Sequence, residues 1–368
     1  MTVLTAASLG TDDREHPEDA LTRDRWGRPE INPPGGGRKT GYRRASSFGS
    51  PLESDYNLQL WAKRQVARGV ARTDHLAIAV TRAESRLLDA VEKNNWREAK
   101  AAKKELDDLC ERAMQAVGSD AAAEIGTAAH HIYERIDLGL DPGHIPTVLR
   151  ADVAAYRSLV TPRFRMVSVE RFVVHDALKV AGTLDRAAEL LVPMTPTDDN
   201  GNPIGDEIPV GTVLLGDVKT SQDMTFAGAK FAVQCYVYAS GTPYNTRTGV
   251  REPWGHDSPS VEWGLIIHAP SKLGKAALHW VNLTDAAEAA EEANRVYEWR
   301  NKRGKNLITK AVVVEIDEDF ATLAEYAESV EDLLDLCNRA RDVGKWNDEL
   351  KATFSARKLE LLALKAAS

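Results

Sequence analysis

The spacing of apolar residues divides the chain into helical stretches near both ends and a strand-rich centre. Between about residues 52 and 118, apolar residues recur at three- and four-residue steps, which is the period of an amphipathic helix. In segments 164–174 and 179–192 the period drops to two, and Val, Leu and Phe are frequent, as in strands. From residue 319 the helical period returns. The pattern predicts a mixed α/β core with helical additions on both flanks.

Capping and turn residues give the limits of further elements. In chain order these predicted elements are helices 121–138 and 147–159, a strand that ends at Asp217, a helix over 226–240, strands 261–268 and 276–281, a helix from 284 to about 303, and a strand over 311–316. Two polar or irregular stretches, 193–211 and 244–259, are expected to be loops.

The first 50 residues are rich in Pro, Gly, Asp and Arg and repeat at neither the helix nor the strand period. Such a stretch is typical of a mobile arm. We therefore expect four regions, which are a mobile N-terminal arm (1–50), a helical region (51–118), an α/β core (119–316) and a C-terminal helical region (317–368).

The composition is that of a globular protein in water, with 43% hydrophobic and 28% charged residues among 368. No apolar run is long enough to cross a bilayer, and the N-terminus is acidic where a signal peptide would be basic. These features predict a cytoplasmic protein without a membrane partner. The 3 cysteines are far apart and form no C-x-x-C pair, so they predict neither a disulfide framework nor a zinc ribbon.

A net charge of −8 argues against a protein coated in positive charge, but nucleic-acid binding needs only a local basic groove. The basic run at residues 300–305 is either a solvated face or a phosphate contact.

The stretch 213–221 carries the first candidate chemistry, because three apolar residues lead through Gly216 into Asp217 and Lys219. On a strand, residues two apart share one face, so these two side chains are expected to lie side by side. One interpretation is an ion pair at the end of a strand. The other is a metal-dependent phosphodiesterase, in which the carboxylate binds a cation and the ammonium orients the attacking water.

Two further patterns precede this strand. On the helix 121–138, Gly126, His130 and Glu134 recur every four residues and therefore share a face. Small residues around Gly126 would let this helix approach a sheet closely. Alone, His130 would be interpreted as a partly buried histidine bonded to the backbone. In the segment 179–192, Asp185 stands in an otherwise apolar strand, where a carboxylate is costly unless it is paired or bound to a cation. An ion pair with Arg186 is disfavoured, because adjacent strand residues point to opposite faces.

A fourth pattern lies on the helix 226–240, where Gln234 and Tyr238 are one turn apart and face the same way. Alone, this pair would be the polar edge of a helix. The order G-x-x-x-H-x-x-x-E, G-x-x-D-R, D-x-K-T and Q-x-x-x-Y resembles the RecB-type branch of the PD-(D/E)XK nuclease superfamily, over roughly residues 119–283. The resemblance implies a restriction-endonuclease-like core, in which a mixed β-sheet is flanked by helices.

The resemblance also implies a role for each matching residue. It makes the metal ligands His130, Asp185, Asp217 and the main-chain carbonyl of Val218. It makes Lys219 the residue that orients or deprotonates water, and it places Gln234 and Tyr238 beside the DNA backbone. The implied supporting residues are Glu134 and Glu170. The candidate nucleic-acid contacts are Arg186, Thr220, Arg300, Lys302, Arg303 and Lys305.

The sequence departs from the family at Leu184, where the superfamily's first acidic motif has proline, and it lacks the four cysteines of the iron–sulfur subtype. An oxygen-rich site with one imidazole suits Mg²⁺ or Mn²⁺. The implied activity is a metal-dependent DNA nuclease, expected to be an exonuclease in recombination, repair or replication and of the kind that phages and bacteria encode. The alternatives are a structure-specific endonuclease on the same core and a catalytically inactive DNA-binding scaffold. No phosphate-binding loop of a motor is present, so a helicase, recombinase or single-strand-binding protein would be a separate partner.

Overall fold

The computed structural model describes residues 16–224, 227–255, 258–302 and 318–367. It divides into two compact units, Met1–Arg303 and Gly304–Ser368. Within the described residues, no helix combines the length and apolarity that a bilayer crossing needs. The predicted strand 311–316 lies outside the described residues.

The larger unit is built on a mixed sheet. Its strands and those of a small two-stranded sheet are, in chain order, β1 (Glu30–Ile31), β2 (Thr40–Gly41), β3 (Arg43–Arg44), β4 (Phe164–His175), β5 (Val180–Leu190), β6 (Val213–Lys219), β7 (Thr242–Asn245), β8 (Val250–Arg251), β9 (Trp263–His268) and β10 (Ala277–Asn282). The main sheet has the order β10-β9-β6-β5-β4-β7-β8, and β3 also pairs with β5. Strands β6 and β9 run parallel, as do β3 and β5, while the other neighbours are antiparallel.

The helices are α1 (Ala45–Phe48), α2 (Tyr56–Arg72), α3 (Asp74–Glu92), α4 (Trp96–Ala116), α5 (Ala121–Asp137), α6 (Arg150–Val160), α7 (Gly228–Ala239), α8 (Leu283–Lys302), α9 (Phe320–Glu325), α10 (Val330–Asp342) and α11 (Asp348–Ala367). One buried cluster joins apolar residues of α1, α7 and α8 to the sheet, and a second joins α5 and α6 to it. The sheet therefore has helices on both faces, and the predicted mixed α/β class is confirmed.

The pairing of β5 with its neighbouring strands determines where Asp185 lies relative to Asp217. Strand β6 pairs with β5 from Glu189 to Arg186, and β3 pairs with β5 at Val180 and Ala181. Asp185 therefore lies between these two pairings, close to the end of β6 that carries Asp217.

The prediction of a mobile arm is wrong for the part of it that the structure describes. Within residues 16–50, β3 pairs with β5, and Ile31 and Tyr42 are buried against Phe172 and Val174 of β4. Two-residue strands show no period, and single apolar residues between polar ones give no signal in the sequence. Residues 1–15 lie outside the described part of the chain.

The region 51–118 forms the predicted helices α2, α3 and α4, packed through Leu76, Ala83 and Leu109. Gly69 makes the close approach of α2 to α4 possible, because a Cβ there would lie 1.9 Å from the carbonyl oxygen of Ala113. The smaller unit contains α9, α10 and α11 around its own core, which includes Phe320, Leu333 and Phe354. The helical character of both regions agrees with the predictions.

The stretch 244–259 was predicted to be irregular, but β7 and β8 form an antiparallel pair at its start. These strands are only 4 and 2 residues long, which explains why no alternation is visible in the sequence.

Candidate active site

Helix α5 brings His130 close to the sheet because the helical turn before His130 contains Gly126, which has no side chain. A Cβ on Gly126 would lie 2.7 Å from Oγ1 of Thr220, so with a larger residue the Thr220 side chain or the helix would have to shift. This agrees with the close approach predicted from the sequence. Thr220 is half-buried against the helix, and its predicted contact with nucleic acid stays a prediction.

Three potential metal ligands meet beside this helix. His130 Nε2 lies 3.4 Å from Glu170 Oε1 and 3.8 Å from Asp185 Oδ1, and ligand atoms of all three lie within 4.8 Å of one another. Strands β4 and β5 hold the two carboxylates opposite each other, since Val169 pairs with Arg186 and Arg171 pairs with Leu184. We call His130, Glu170 and Asp185 the ligand group.

Glu170 has a positive φ of 53°, in the left-handed region that residues with a side chain rarely adopt. Such a conformation costs about 1–3 kcal/mol and persists where the surrounding structure enforces it, which is often at functional sites. Here the antiparallel pairing of β4 and β5 continues on both sides of Glu170. Glu170 was expected to have only a supporting role, whereas the geometry makes it one of the three potential ligands.

Asp185 is fixed by the neighbouring strand. Its Oδ2 accepts a hydrogen bond of 2.7 Å from the backbone N–H of Val218, which leaves Oδ1 facing His130. The main chain of Val218 was expected to contribute its carbonyl to a metal; the structure gives its N–H this positioning contact.

A second group adjoins the first on the α7 side of the sheet. Asp217 is buried, and its Oδ1 accepts a 2.9 Å hydrogen bond from Gln234 Nε2 while its Oδ2 forms an ion pair with Lys219. Gln234 Nε2 also lies 3.3 Å from the Tyr238 hydroxyl, and its Oε1 accepts from Lys219 Nζ at 3.3 Å. The ammonium of Lys219 also lies 4.4 Å from the centre of the Phe231 ring.

The structure thus brings the predicted residues together as two adjacent groups. Asp217 was predicted to bind metal, but the structure does not place it in the ligand group; its oxygens contact Gln234 and Lys219. The first interpretation of the Asp217–Lys219 pair, an ion pair at the end of a strand, agrees with this geometry. The second interpretation, in which the Asp217 carboxylate binds the cation, stays a prediction.

The charges of the two groups influence each other. Burial raises the pKa of Asp217 to about 6, although Lys219 opposes this shift, and the charge of Asp185 adds to it. Burial disfavours a charged Lys219, but Asp217 and Asp185 outweigh burial and raise the pKa of its ammonium. In the same way, burial of His130 is outweighed by Asp185 and Glu170, which raise its pKa. The carboxylates around His130 and Lys219 therefore favour positive charge at this place.

Arg186 was predicted to contact nucleic acid, and the structure corrects this. Its side chain is fully buried, and its guanidinium pairs with Asp137 on α5 and lies 3.2 Å from Glu170. The Tyr156 hydroxyl donates to the same Asp137 carboxylate at 2.6 Å. Arg186 therefore positions Glu170 from inside the core. Sequence reasoning missed Asp137, whose only signal is that it follows His130 by about two helical turns.

Among the described residues, the other predicted ones do not belong to the ligand group. Glu134 is buried and lies 3.6 Å from Nδ1 of His131, so it contributes to α5 itself. Arg300 is exposed on α8, and Lys302 is the last residue of that helix. Arg303 and Lys305 lie outside the described residues.

No model of a known protein family matches this chain, and no curated protein matches it either. The chemistry of the site itself therefore carries the functional argument. One imidazole and two carboxylates form a donor set that suits Mn²⁺ or Mg²⁺. Structural zinc sites, by contrast, are rich in thiolates.

Proposed function

We propose that the protein is a metal-dependent deoxyribonuclease with a restriction-endonuclease-like core of the RecB type, acting as an exonuclease. The observation that carries this proposal is the ligand group of His130, Glu170 and Asp185 beside the buried pair of Asp217 and Lys219. Four of these residues, His130, Asp185, Asp217 and Lys219, lie in the order of motifs that resembles this nuclease branch.

The donors that would hold Mg²⁺ or Mn²⁺ are the Nε2 of His130 and one carboxylate oxygen each from Glu170 and Asp185. A bound ion would supply Lewis acidity at a phosphoryl oxygen and a lowered pKa for water. Glu170 is kept in place by Arg186, and Asp185 by the N–H of Val218.

Lys219 would supply a fixed positive charge near the developing oxyanion of the phosphodiester. Its ammonium is held between the Asp217 carboxylate and the Gln234 carbonyl oxygen. Because this ammonium is oriented before substrate binds, little reorganisation is needed during the reaction. The side chain of Gln234 contacts Asp217, Lys219 and Tyr238, and so connects these three residues.

The proposal is tested with end-labelled linear DNA and closed circular DNA of the same sequence, with and without Mn²⁺. We expect Mn²⁺-dependent loss of the linear DNA, an intact circle, and no activity in Asp185→Asn. Asn at this position can still accept the hydrogen bond from Val218, so the fold should persist. The control is Asp206→Asn, which changes an exposed aspartate outside the site.

Cleavage of the circle would replace the exonuclease by an endonuclease on the same core. Binding of DNA without any metal-dependent cleavage would favour the inactive scaffold and contradict the proposal.

A further inference from the structure

A groove lined by arginines and aromatic rings lies between the N-terminal segment and α8. Its volume is about 280 Å³, and it is lined by Arg28, Arg43, Arg44 and Arg300. None of the described residues that line it is acidic. Since the whole chain carries a net charge of −8, this positive surface is a local feature that would attract a polyanion. We call it the arginine groove.

Two of these cations are available to a ligand. Arg44 and Arg300 are exposed, and neither forms an ion pair within the described part of the chain. Arg43, by contrast, is held between the rings of Phe48 and Tyr297, with its guanidinium carbon 4.4 and 4.0 Å from the ring centres. Phosphate contacts are therefore expected from Arg44 and Arg300.

An exposed tryptophan lies at the same groove. The side chain of Trp26 is 63% exposed, and the guanidinium carbons of Arg25 and Arg28 lie 3.9 and 4.7 Å from its ring centre. Aromatic rings and guanidinium planes in a basic groove are the surfaces on which unpaired bases stack. Bases in a duplex are already stacked on their neighbours, so this combination fits a single strand.

The arginine groove adjoins the candidate active site. Arg44 also lines a second cavity of about 110 Å³, and Gln234 and Tyr238 line the same cavity. Glu18 lies at this second cavity and accepts a 2.7 Å hydrogen bond from the Thr183 hydroxyl. A strand lying along the arginine groove would therefore end near the residues that hold Lys219.

We propose that the arginine groove binds single-stranded DNA, with its phosphates on Arg44 and Arg300 and a base on Trp26. The connection to cleavage rests on the proposed nuclease function, but strand binding can be measured without it. This part of the site is built by the N-terminal segment, which lies outside the stretch that resembles the nuclease family.

The test is the fluorescence anisotropy of a fluorescein-labelled oligo(dT) strand, measured with the full chain in EDTA so that no cleavage occurs. We expect Trp26→Ala to weaken binding about 5- to 150-fold, as alanine substitution of a base-stacking residue does. Arg300→Ala should lower the slope of log affinity against log salt by about 0.7 for the phosphate contact it loses. Circular dichroism checks that each variant is folded.

Matched controls are Trp96→Ala, which removes a tryptophan that is 68% exposed on α4, and Arg82→Ala, which removes an exposed arginine on α3. Both should bind like the unchanged protein. Equal affinity of Trp26→Ala, Arg300→Ala and the controls would overturn the proposal. A duplex of the same length that binds as tightly, with the same losses, would overturn the assignment to a single strand.

Cleavage of linear DNA, measured separately, distinguishes the two proposals. If the groove variants lose binding while no DNA is cleaved under any condition, the groove is supported and the nuclease is wrong. If cleavage occurs and the groove variants bind normally, the nuclease is supported and the groove is wrong.

Discussion

The two carboxylate oxygens of Asp185 have different neighbours. The N–H of Val218 donates to Oδ2 at 2.7 Å, while Oδ1 faces His130 Nε2 at 3.8 Å. The hydrogen bond fixes the carboxylate relative to β6, the strand that also carries Lys219. A small shift of β6 would therefore move the potential ligand and the ammonium together. This hydrogen bond links two of the five elements from which the residues of the site come.

Glu170→Gln should weaken the metal dependence of cleavage, because the group loses one of two carboxylates that can ligate. The Mn²⁺ concentration for half-maximal cleavage should rise at least about tenfold, the size of effect that even outer-shell changes produce. Glu189→Gln is the control, since Glu189 pairs with Arg165 elsewhere on the same pair of strands. An unchanged Mn²⁺ dependence in Glu170→Gln would remove Glu170 from the ligand group.

Lys219→Ala should lower the cleavage rate about 10²- to 10³-fold, the typical cost of removing one group that stabilises a developing oxyanion. Binding of Mn²⁺ should persist, because Lys219 does not belong to the ligand group. The control is Lys275→Ala, which removes an exposed lysine. A parallel loss of Mn²⁺ binding and cleavage would show that Lys219 holds the site together and has no separate role in the reaction.

Arg186→Ala should lower the free energy of unfolding by about 3–5 kcal/mol, because it leaves the buried charge of Asp137 without its partner. Urea denaturation followed by circular dichroism measures this change. Arg165→Ala, which breaks a pair whose arginine is 68% exposed, should cost only about 0–1 kcal/mol. Similar losses in the two variants would contradict the structural role that burial gives Arg186.

The link between the N-terminal segment and the sheet should depend on pH. Asp176 accepts hydrogen bonds from Arg251 Nε at 2.6 Å and from the Tyr42 hydroxyl at 2.7 Å. Burial would raise the pKa of Asp176, but these two partners outweigh it and lower the pKa. The resulting stability is present above the ordinary aspartate pKa of about 3.9 and is lost as the pH falls through the lower pKa of the folded protein.

Asp176→Asn should therefore lower the free energy of unfolding at pH 7 by about 1–2 kcal/mol, given the partial exposure of the pair. The difference between Asp176→Asn and the unchanged protein should begin to shrink below about pH 4, because the unfolded carboxylate takes up a proton there before the folded one does. Urea unfolding at a series of pH values measures it. A difference that stays constant down to about pH 3 would contradict the role of the charge.

Elements with a clear period could be predicted from the sequence. Helix α5 was expected over 121–138 and spans Ala121–Asp137, and β6 was expected to end at Asp217 and extends two residues further, to Lys219. Helix α5 has a long run of one period, which is the strongest local signal, and β6 begins with a short continuous apolar run that fits a buried strand. The two-residue strands β1, β2, β3 and β8 carry no such run, so the segment that forms the arginine groove could not be predicted.

The candidate site was predictable where a motif placed residues on one face, as with His130 and with the Asp217–Lys219 pair. The sequence could not show that Glu170 takes a position in the ligand group, because that depends on the β4–β5 register and on its positive φ. It also could not show that Arg186 turns inward to Asp137, 49 residues away in the chain. Both outcomes are set by pairing between distant segments.

The ligand group is tested most directly by calorimetric titration of the protein with Mn²⁺. We expect one saturable binding event in the unchanged protein and none in Asp185→Asn, while Asp206→Asn should bind as the unchanged protein does. Saturable binding that is the same in all three proteins, or no site-specific heat in any of them, would contradict a divalent-ion site formed by His130, Glu170 and Asp185.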